Sequence, residues 1–247
     1  MPIPLILPLC PGEGKGRVAW RREGHVLGKM GDVAADVDLV VPLKPPRAGK
    51  SRLRGGLGYP SGDGDHEALV LALAEDTLAA ATASARVRRV LVVASDPAAV
   101  VALRALGVEI VAENGPRGLN AALRQGAQAL RRDDPHAVIG ALQADLPSLL
   151  SDDLDAAIAE ADGRRAFTAD RQGTGTTLLL SSAGGELEPR FGEGSASAHV
   201  ASGAVALGVT APSLRSDVDT ADDLALARNL GLGPRTAAVV GELCLLS

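Results

Sequence analysis

The chain has 247 residues, a formal net charge of −5 and 46% hydrophobic residues, of which few are aromatic. That length fits one large α/β domain or two small ones, with a core of Ala, Val and Leu that packs through many small contacts. The negative charge argues against a nucleic-acid-tracking surface, which needs a basic stripe.

Residues 1 to about 36 carry no clear helical or strand period and are rich in Gly, Arg and Lys. They read as a flexible N-terminal extension, or as a start placed too early, ahead of a single domain over residues 37–240. The run Ile3-Pro-Leu-Ile-Leu-Pro-Leu-Cys10 lacks a basic n-region, is broken by prolines and is too short to cross a membrane. No other segment reads as transmembrane. Trp20 reads as incidental or as a packing residue. Cys10 and Cys244 have no metal-type spacing and form no disulfide framework, so a reducing cytoplasm is the expected compartment. Nothing in the sequence reports the oligomeric state.

From Val37 the pattern alternates strand and helix. Val37–Leu43 reads as the first strand, and a loop rich in cations and prolines follows it. Glu67–Ala83 has helical spacing, with Leu69, Leu73 and Leu78 on one face. Arg89–Ala94 is a buried strand, Pro97–Ala105 a short helix capped by Ser95 or Asp96, and Val108–Ala112 a further strand. Leu119–Arg131 is helical, Ala137–Gln143 a strand and Ser151–Ala161 a helix with Asp152 and Asp153 in its first turn. Arg165–Thr168, Thr176–Leu180 and Ala204–Leu207 are candidate strands, and residues 181–203 read as long loop. Thr220–Leu230 is a helix opened by a capping box. This alternation predicts an α/β fold with a mostly parallel sheet covered on both faces, whose ligands sit beyond the carboxyl ends of the strands.

Five groups of residues suit phosphate chemistry. Lys44, Arg47, Lys50 and Arg52 concentrate cations where the first strand ends, which suits a polyphosphate but also describes a solvated basic loop. The loop is not a P-loop, and it lacks the Gly-rich run of most sugar nucleotidyltransferases. Asp145, in Gln143-Ala-Asp-Leu-Pro147, directly follows a buried strand and reads as a Mg²⁺ ligand or as a turn cap. In Ser216-Asp-Val-Asp-Thr220, alternation projects Asp217 and Asp219 to one side, where two carboxylates repel unless a cation lies between them. The alternative is that Asp219 or Thr220 caps the following helix. Two Gly/Ser/Thr loops, Asp170–Thr177 and Arg190–His199, offer backbone N–H groups to anions or are turns. His199, like His66 and His136, reads as a packing or surface residue. No catalytic triad and no zinc spacing is present.

The order of motifs resembles one family closely. Lys-x5-Lys-Ser-Arg-Leu, Gly118-Leu-Asn120-Ala, Gln-Ala-Asp-Leu-Pro, Ala-Asp-Arg-x-Gly-Thr-Gly-Thr, Arg-Phe-Gly and Asp-Val-Asp-Thr are similar to the guanylyltransferases that act on 2-phospho-L-lactate or phosphoenolpyruvate in biosynthesis of the deazaflavin coenzyme F(420). The resemblance spans roughly residues 37–240. It implies a three-layer glycosyltransferase-A-like fold with a mixed sheet, and transfer of GMP from GTP to the phosphate of a three-carbon phospho-acid. It further implies that Asp145 and Asp217 hold Mg²⁺ with Asp219 close by. Thr176, Gly192 and Ser195 would hold the acceptor's carboxylate and phosphate. Lys44, Lys50 and Arg52 would contact the GTP phosphates, and Asn120 the nucleoside end. Composition tips the acceptor towards phosphoenolpyruvate. Another nucleotidyltransferase of the same fold, such as a molybdenum-cofactor guanylyl- or cytidylyltransferase, is the nearest rival reading. A non-catalytic nucleotide-binding protein is the rival of another class.

Overall fold

The computed structural model describes residues 37–45, 53 and 63–245. The expected N-terminal extension lies outside the described residues, as do Lys50 and Arg52. Within them, β1 (Val37–Leu43), β2 (Val87–Ala94), β3 (Glu109–Ala112), β4 (Val138–Leu142), β5 (Ala166–Ala169), β6 (Thr176–Leu180) and β7 (Val205–Ala206) form one sheet. Its order is β3-β2-β1-β4-β6-β5-β7. All pairings are parallel except those of β6, which runs against both β4 and β5. The sheet is therefore mixed and mostly parallel, as the alternation of elements predicts.

Period-two alternation splits the strand side chains between two cores. Leu39, Val41, Val90 and Val92 face α1 (Asp63–Ala83) and α3 (Ser151–Ala161), where Leu78, Leu154 and Ile158 are buried. Val40, Leu91 and Val93 face α2 (Leu119–Asp133), with Leu123, Ala127 and Leu130. The result is three layers, with helices on both faces. Among the described residues no helix is long and apolar enough to cross a membrane.

Helix α2 lies close on the sheet because Gly126 faces it. A Cβ there would collide with Val40 and stand 2.9 Å from Val93 Cγ2. Both neighbours are β-branched and stiff in their strands, so they have little room to give.

Four local features depart from the sequence pattern. Helix α1 starts at Asp63, ahead of the expected Glu67. The segment after β2 forms a turn followed by a 3-10 helix, Val101–Leu106; Asp96 Oδ1 accepts the N–H groups of Ala98 and Ala99, and Gly107 ends the helix at positive φ. Residues 181–203 are not all loop, because Ser195–Ala201 forms α4. After the one-turn α5 (Pro212–Arg215) and α6 (Ala221–Leu230), a further helix α7 (Pro234–Leu245) extends the fold past residue 240. The first N–H groups of α7 are satisfied from a distance: Asp76 of α1 accepts those of Arg235 at 3.1 Å and Thr236 at 2.7 Å.

The second core also buries a histidine. His199 of α4 is 0% exposed and packs between Phe167 and Phe191, with ring centroids 5.7 and 5.3 Å away. Burial, with the charges of Arg165 and Arg190 nearby, lowers its pKa to about 4. The ring is therefore neutral at pH 7.

Two outcomes follow for stability. Gly126→Ala gains helix propensity but overpacks the α2–sheet contact, and should destabilise the domain by about 1–3 kcal/mol in urea titration. An unchanged or higher stability would contradict the close approach. For His199 the folded value lies below the unfolded one, so the unfolded chain binds the extra proton. Stability should therefore fall as pH drops from about 6.5 towards 4, by as much as roughly 3 kcal/mol. Denaturation at pH 7 and pH 5 should show about 2 kcal/mol of this loss, and His199→Phe should lack that share of it.

Candidate active site

The carboxyl ends of β1, β2, β3 and β4 open on one side of the sheet into a cleft of about 950 Å³. Pro42, Leu43 and Lys44 line it from β1, Ser95 from β2, and Glu113 and Asn114 from β3. Gln143, Ala144 and Asp145 line it from β4, and Asp219 closes one wall. Arg117, Gly118 and Leu119 at the start of α2 complete the opposite side. Lys44 is exposed there.

Five residues of the loop carrying Asp145, Gln143 and Asp145 to Ser148, are held by hydrogen bonds. Gln143 N–H donates to Thr177 C=O at 3.0 Å. Leu146 N–H donates to the Thr77 hydroxyl at 2.9 Å, and that hydroxyl donates to Leu73 C=O at 2.8 Å. Gly233 N–H donates to Pro147 C=O at 2.7 Å, and Ser148 Oγ–H to Ala227 C=O at 2.8 Å. Asp145 C=O itself accepts Val218 N–H at 3.0 Å. That last bond joins the two acidic motifs: Val218 is fully buried, which turns its neighbours Asp217 and Asp219 away from the core.

The aspartates then differ. Asp219 is exposed and shares the cleft with Asp145, whereas Asp217 is half-buried and does not line it. Asp219 is not the helix cap; Thr220 is, accepting Asp223 N–H at 3.2 Å while Asp223 accepts Thr220 N–H at 3.0 Å. Among the described residues no three acidic, His or Cys side chains form a metal-holding cluster. A hard cation that keeps several waters and shares a substrate's phosphates needs only one or two carboxylates, so the all-oxygen pair on the cleft wall fits Mg²⁺ and similar ions.

A second cluster lies at the start of β6, which its antiparallel direction brings to the end of β4. Thr176 Oγ1 stands 2.9 Å from His199 Nδ1 and 3.2 Å from Ser195 Oγ. All three residues are buried. Gly192, at φ +137, accepts Ser195 N–H through its carbonyl and starts the turn into α4. Asn120 clamps the same turn: its Nδ2–H donates to Phe191 C=O at 2.9 Å, and its Oδ1 accepts Phe191 N–H at 2.8 Å. Both ends of its amide are thus engaged on backbone, which makes Asn120 a brace for the Arg190–Gly192 turn.

The structure therefore joins Lys44, Asp145 and Asp219 at one cleft, and Thr176, Gly192 and Ser195 in one cluster that does not line it. In the Gly-Thr-Gly-Thr loop, read as an anion cradle or as a turn, Asp170 accepts the N–H groups of Thr174 and Gly175 at 2.9 and 2.8 Å. Arg215 further ties this loop through the carbonyls of Ala169 and Asp170. Glu113, Asn114 and Arg117 of the cleft were not singled out by sequence, and Ser95 was read only as a helix cap. The signal for them was their place just beyond the ends of β2 and β3.

No family model matches the chain. It is 49% identical to a phosphoenolpyruvate guanylyltransferase of Streptomyces scabiei over 213 residues, covering 84% of this chain and 97% of that protein. It is 48% identical to phosphoenolpyruvate guanylyltransferases of Salinispora arenicola and Geodermatophilus obscurus, each over 82% of this chain and more than nine-tenths of the relative. Among solved structures, a protein classed as a nucleotide-diphospho-sugar transferase from Desulfovibrio desulfuricans shares the fold with a TM-score of 0.59 at 14% identity, over 84% of this chain and 97% of that one. A 4-diphosphocytidyl-2C-methyl-D-erythritol synthase does so with a TM-score of 0.53 at 16% identity, over 79% of this chain and 99% of that one. With nearly half its aligned residues identical to theirs across most of its length, the chain belongs to the phosphoenolpyruvate guanylyltransferase family.

Proposed function

We propose that the protein transfers GMP from GTP to phosphoenolpyruvate and releases pyrophosphate, with residues 37–245 as its catalytic domain. The observation that carries this reading is the strand-end cleft holding cations and carboxylates together, in a chain whose relatives bear that name. Phosphoenolpyruvate is preferred over 2-phospho-L-lactate on the relatives' names. The cytoplasm suits these phosphorylated substrates.

The acceptor phosphate is already anionic, so no general base is needed to make the nucleophile. One of its oxygens attacks the α-phosphorus of GTP in line, a new P–O bond forms, and the bond to the leaving pyrophosphate breaks with its electron pair going to that group. The main obstacle is repulsion between two polyanions. Lys44 and Arg117 at the cleft, with Lys50 and Arg52 of the same basic loop, neutralise the triphosphate and brace the leaving group. Asp145, with Asp217 and Asp219 on the neighbouring segment, would hold a divalent ion, and Mg²⁺ suits their oxygens. When bound, the ion screens charge on the phosphoryl oxygens. Thr176, Gly192 and Ser195 would hold the acceptor and orient it.

Incubation with GTP, Mg²⁺ and either phospho-acid, followed by pyrophosphate assay, tests the reading. Release with phosphoenolpyruvate is expected, and no release with either acceptor would sink it. Asp145→Ala should lower kcat on the order of 10³-fold, the scale of several kcal/mol of charge stabilisation; a variant close to wild type would refute the metal assignment. Thr77→Val leaves the Leu146 N–H without its acceptor and loosens the loop. It should lower kcat roughly tenfold, and Thr77→Ser should restore it.

A further inference from the structure

His199 sits behind the proposed acceptor site, and its hydrogen bonds specify its protonation. The backbone N–H of Arg190 donates to Nε2 at 3.0 Å, so Nε2 carries no proton. The neutral ring therefore holds its proton on Nδ1, where it donates to Thr176 Oγ1 at 2.9 Å. Thr176 and Ser195 together own two hydroxyl protons, but the 3.2 Å bond between them uses one. Because His199 supplies a donor and not an acceptor, neither hydroxyl can spend its proton on the ring. One O–H of the pair is left to point away from it.

We propose that His199 is a positioning residue for the phosphoenolpyruvate subsite: its Nδ1–H fixes Thr176 and Ser195 so that the pair always presents one hydroxyl donor to the acceptor's anionic oxygens. This rests on the functional reading above. The opposite tautomer would turn Nδ1 into an acceptor, draw the Thr176 proton inward and leave the site with lone pairs facing an anion. The surroundings hold the tautomer in place. Phe167 and Phe191 fix the ring between them, and Asn120 fixes the Phe191 backbone next to the Arg190 N–H. Arg165 at the entry to β5 and Arg190 on the preceding turn are the charged groups that act on the ring, and both oppose a charge on it. The low pKa of the ring agrees with a neutral group throughout the physiological range.

Two substitutions separate the ring nitrogens. His199→Gln can still accept from Arg190 but places no donor at Thr176, whereas His199→Asn can keep a donor near the Nδ1 position. His199→Gln should raise the KM for phosphoenolpyruvate about tenfold, the effect of one hydrogen bond to an anion, with the KM for GTP unchanged. His199→Asn should recover part of that loss. A merely structural role would instead lower thermal stability in both variants with no selective effect on the acceptor KM. For wild type, nitrogen-15 NMR of labelled histidines should show the Nδ1–H tautomer at pH 7, and its proton resonance should move on addition of phosphoenolpyruvate but not of GTP. An Nε2–H or charged ring, no response to the acceptor, or an unchanged acceptor KM in His199→Gln would overturn the proposal. If wild type transfers no GMP to phosphoenolpyruvate, the functional reading falls and this one with it; normal transfer with an unresponsive ring removes this one alone.

Discussion

The main-chain hydrogen bond from Val218 to Asp145 is the contact on which the site depends. It joins two segments far apart in sequence at the ends of different elements, and it does so with backbone atoms, leaving the side chains of Asp145 and Asp219 to line the cleft. Placing acidic groups side by side is unfavourable without a cation. The fold offsets that by burying Val218 with Leu69, Leu73, Leu224 and Ala227 and by fixing the residues around Asp145 with the Thr77, Gly233 and Ser148 bonds. A site braced in this way needs little reorganisation when charge moves during phosphoryl transfer, and preorganised charge of this kind supplies much of the catalysis.

The reversed direction of β6 is the second constraint. In a wholly parallel sheet the residues that begin a strand lie at the opposite rim from those that end one. Because β6 runs against β4, Thr176 starts where β4 ends, and the Gln143–Thr177 bond fastens the two together. This brings the Thr176–Ser195–His199 cluster beside the loop of Asp145. The proposed donor side, at the ends of β1 to β4, and the proposed acceptor side, at the start of β6, thereby share one rim of the sheet.

Much of this was legible in the sequence because the informative signals are local. Apolar β-branched runs marked β1, β2 and β4, the Thr220–Asp223 capping box marked α6, and Asp145 stood out as a carboxylate at the end of a buried strand. What was missed is long-range. Helix α4 carries Ser-Ala-Ser-Ala-His-Val-Ala, seven residues with no stripe of large apolar side chains to mark a helical period, and its turn is held by Asn120 from another helix. The cap of α7 is the side chain of Asp76, more than 150 residues away. His199 read as packing, and it does pack; its hydrogen-bond partners, on β6 and the Arg190 turn, give it a second role. The Gly-Thr-Gly-Thr loop, legible in sequence as an anion cradle or as a turn, closes on Asp170.

On the proposed reading, the Asp145 loop, held by Val218 and Thr77, is where the divalent ion and the triphosphate meet. The most direct measurement is anomalous scattering from crystals grown with Mn²⁺ and a non-hydrolysable GTP analogue. A metal peak is expected in contact with the Asp145 carboxylate and with phosphate oxygens of the analogue, in the cleft beyond β1 and β4. A metal bound to the analogue with no Asp145 oxygen in its coordination shell would contradict it.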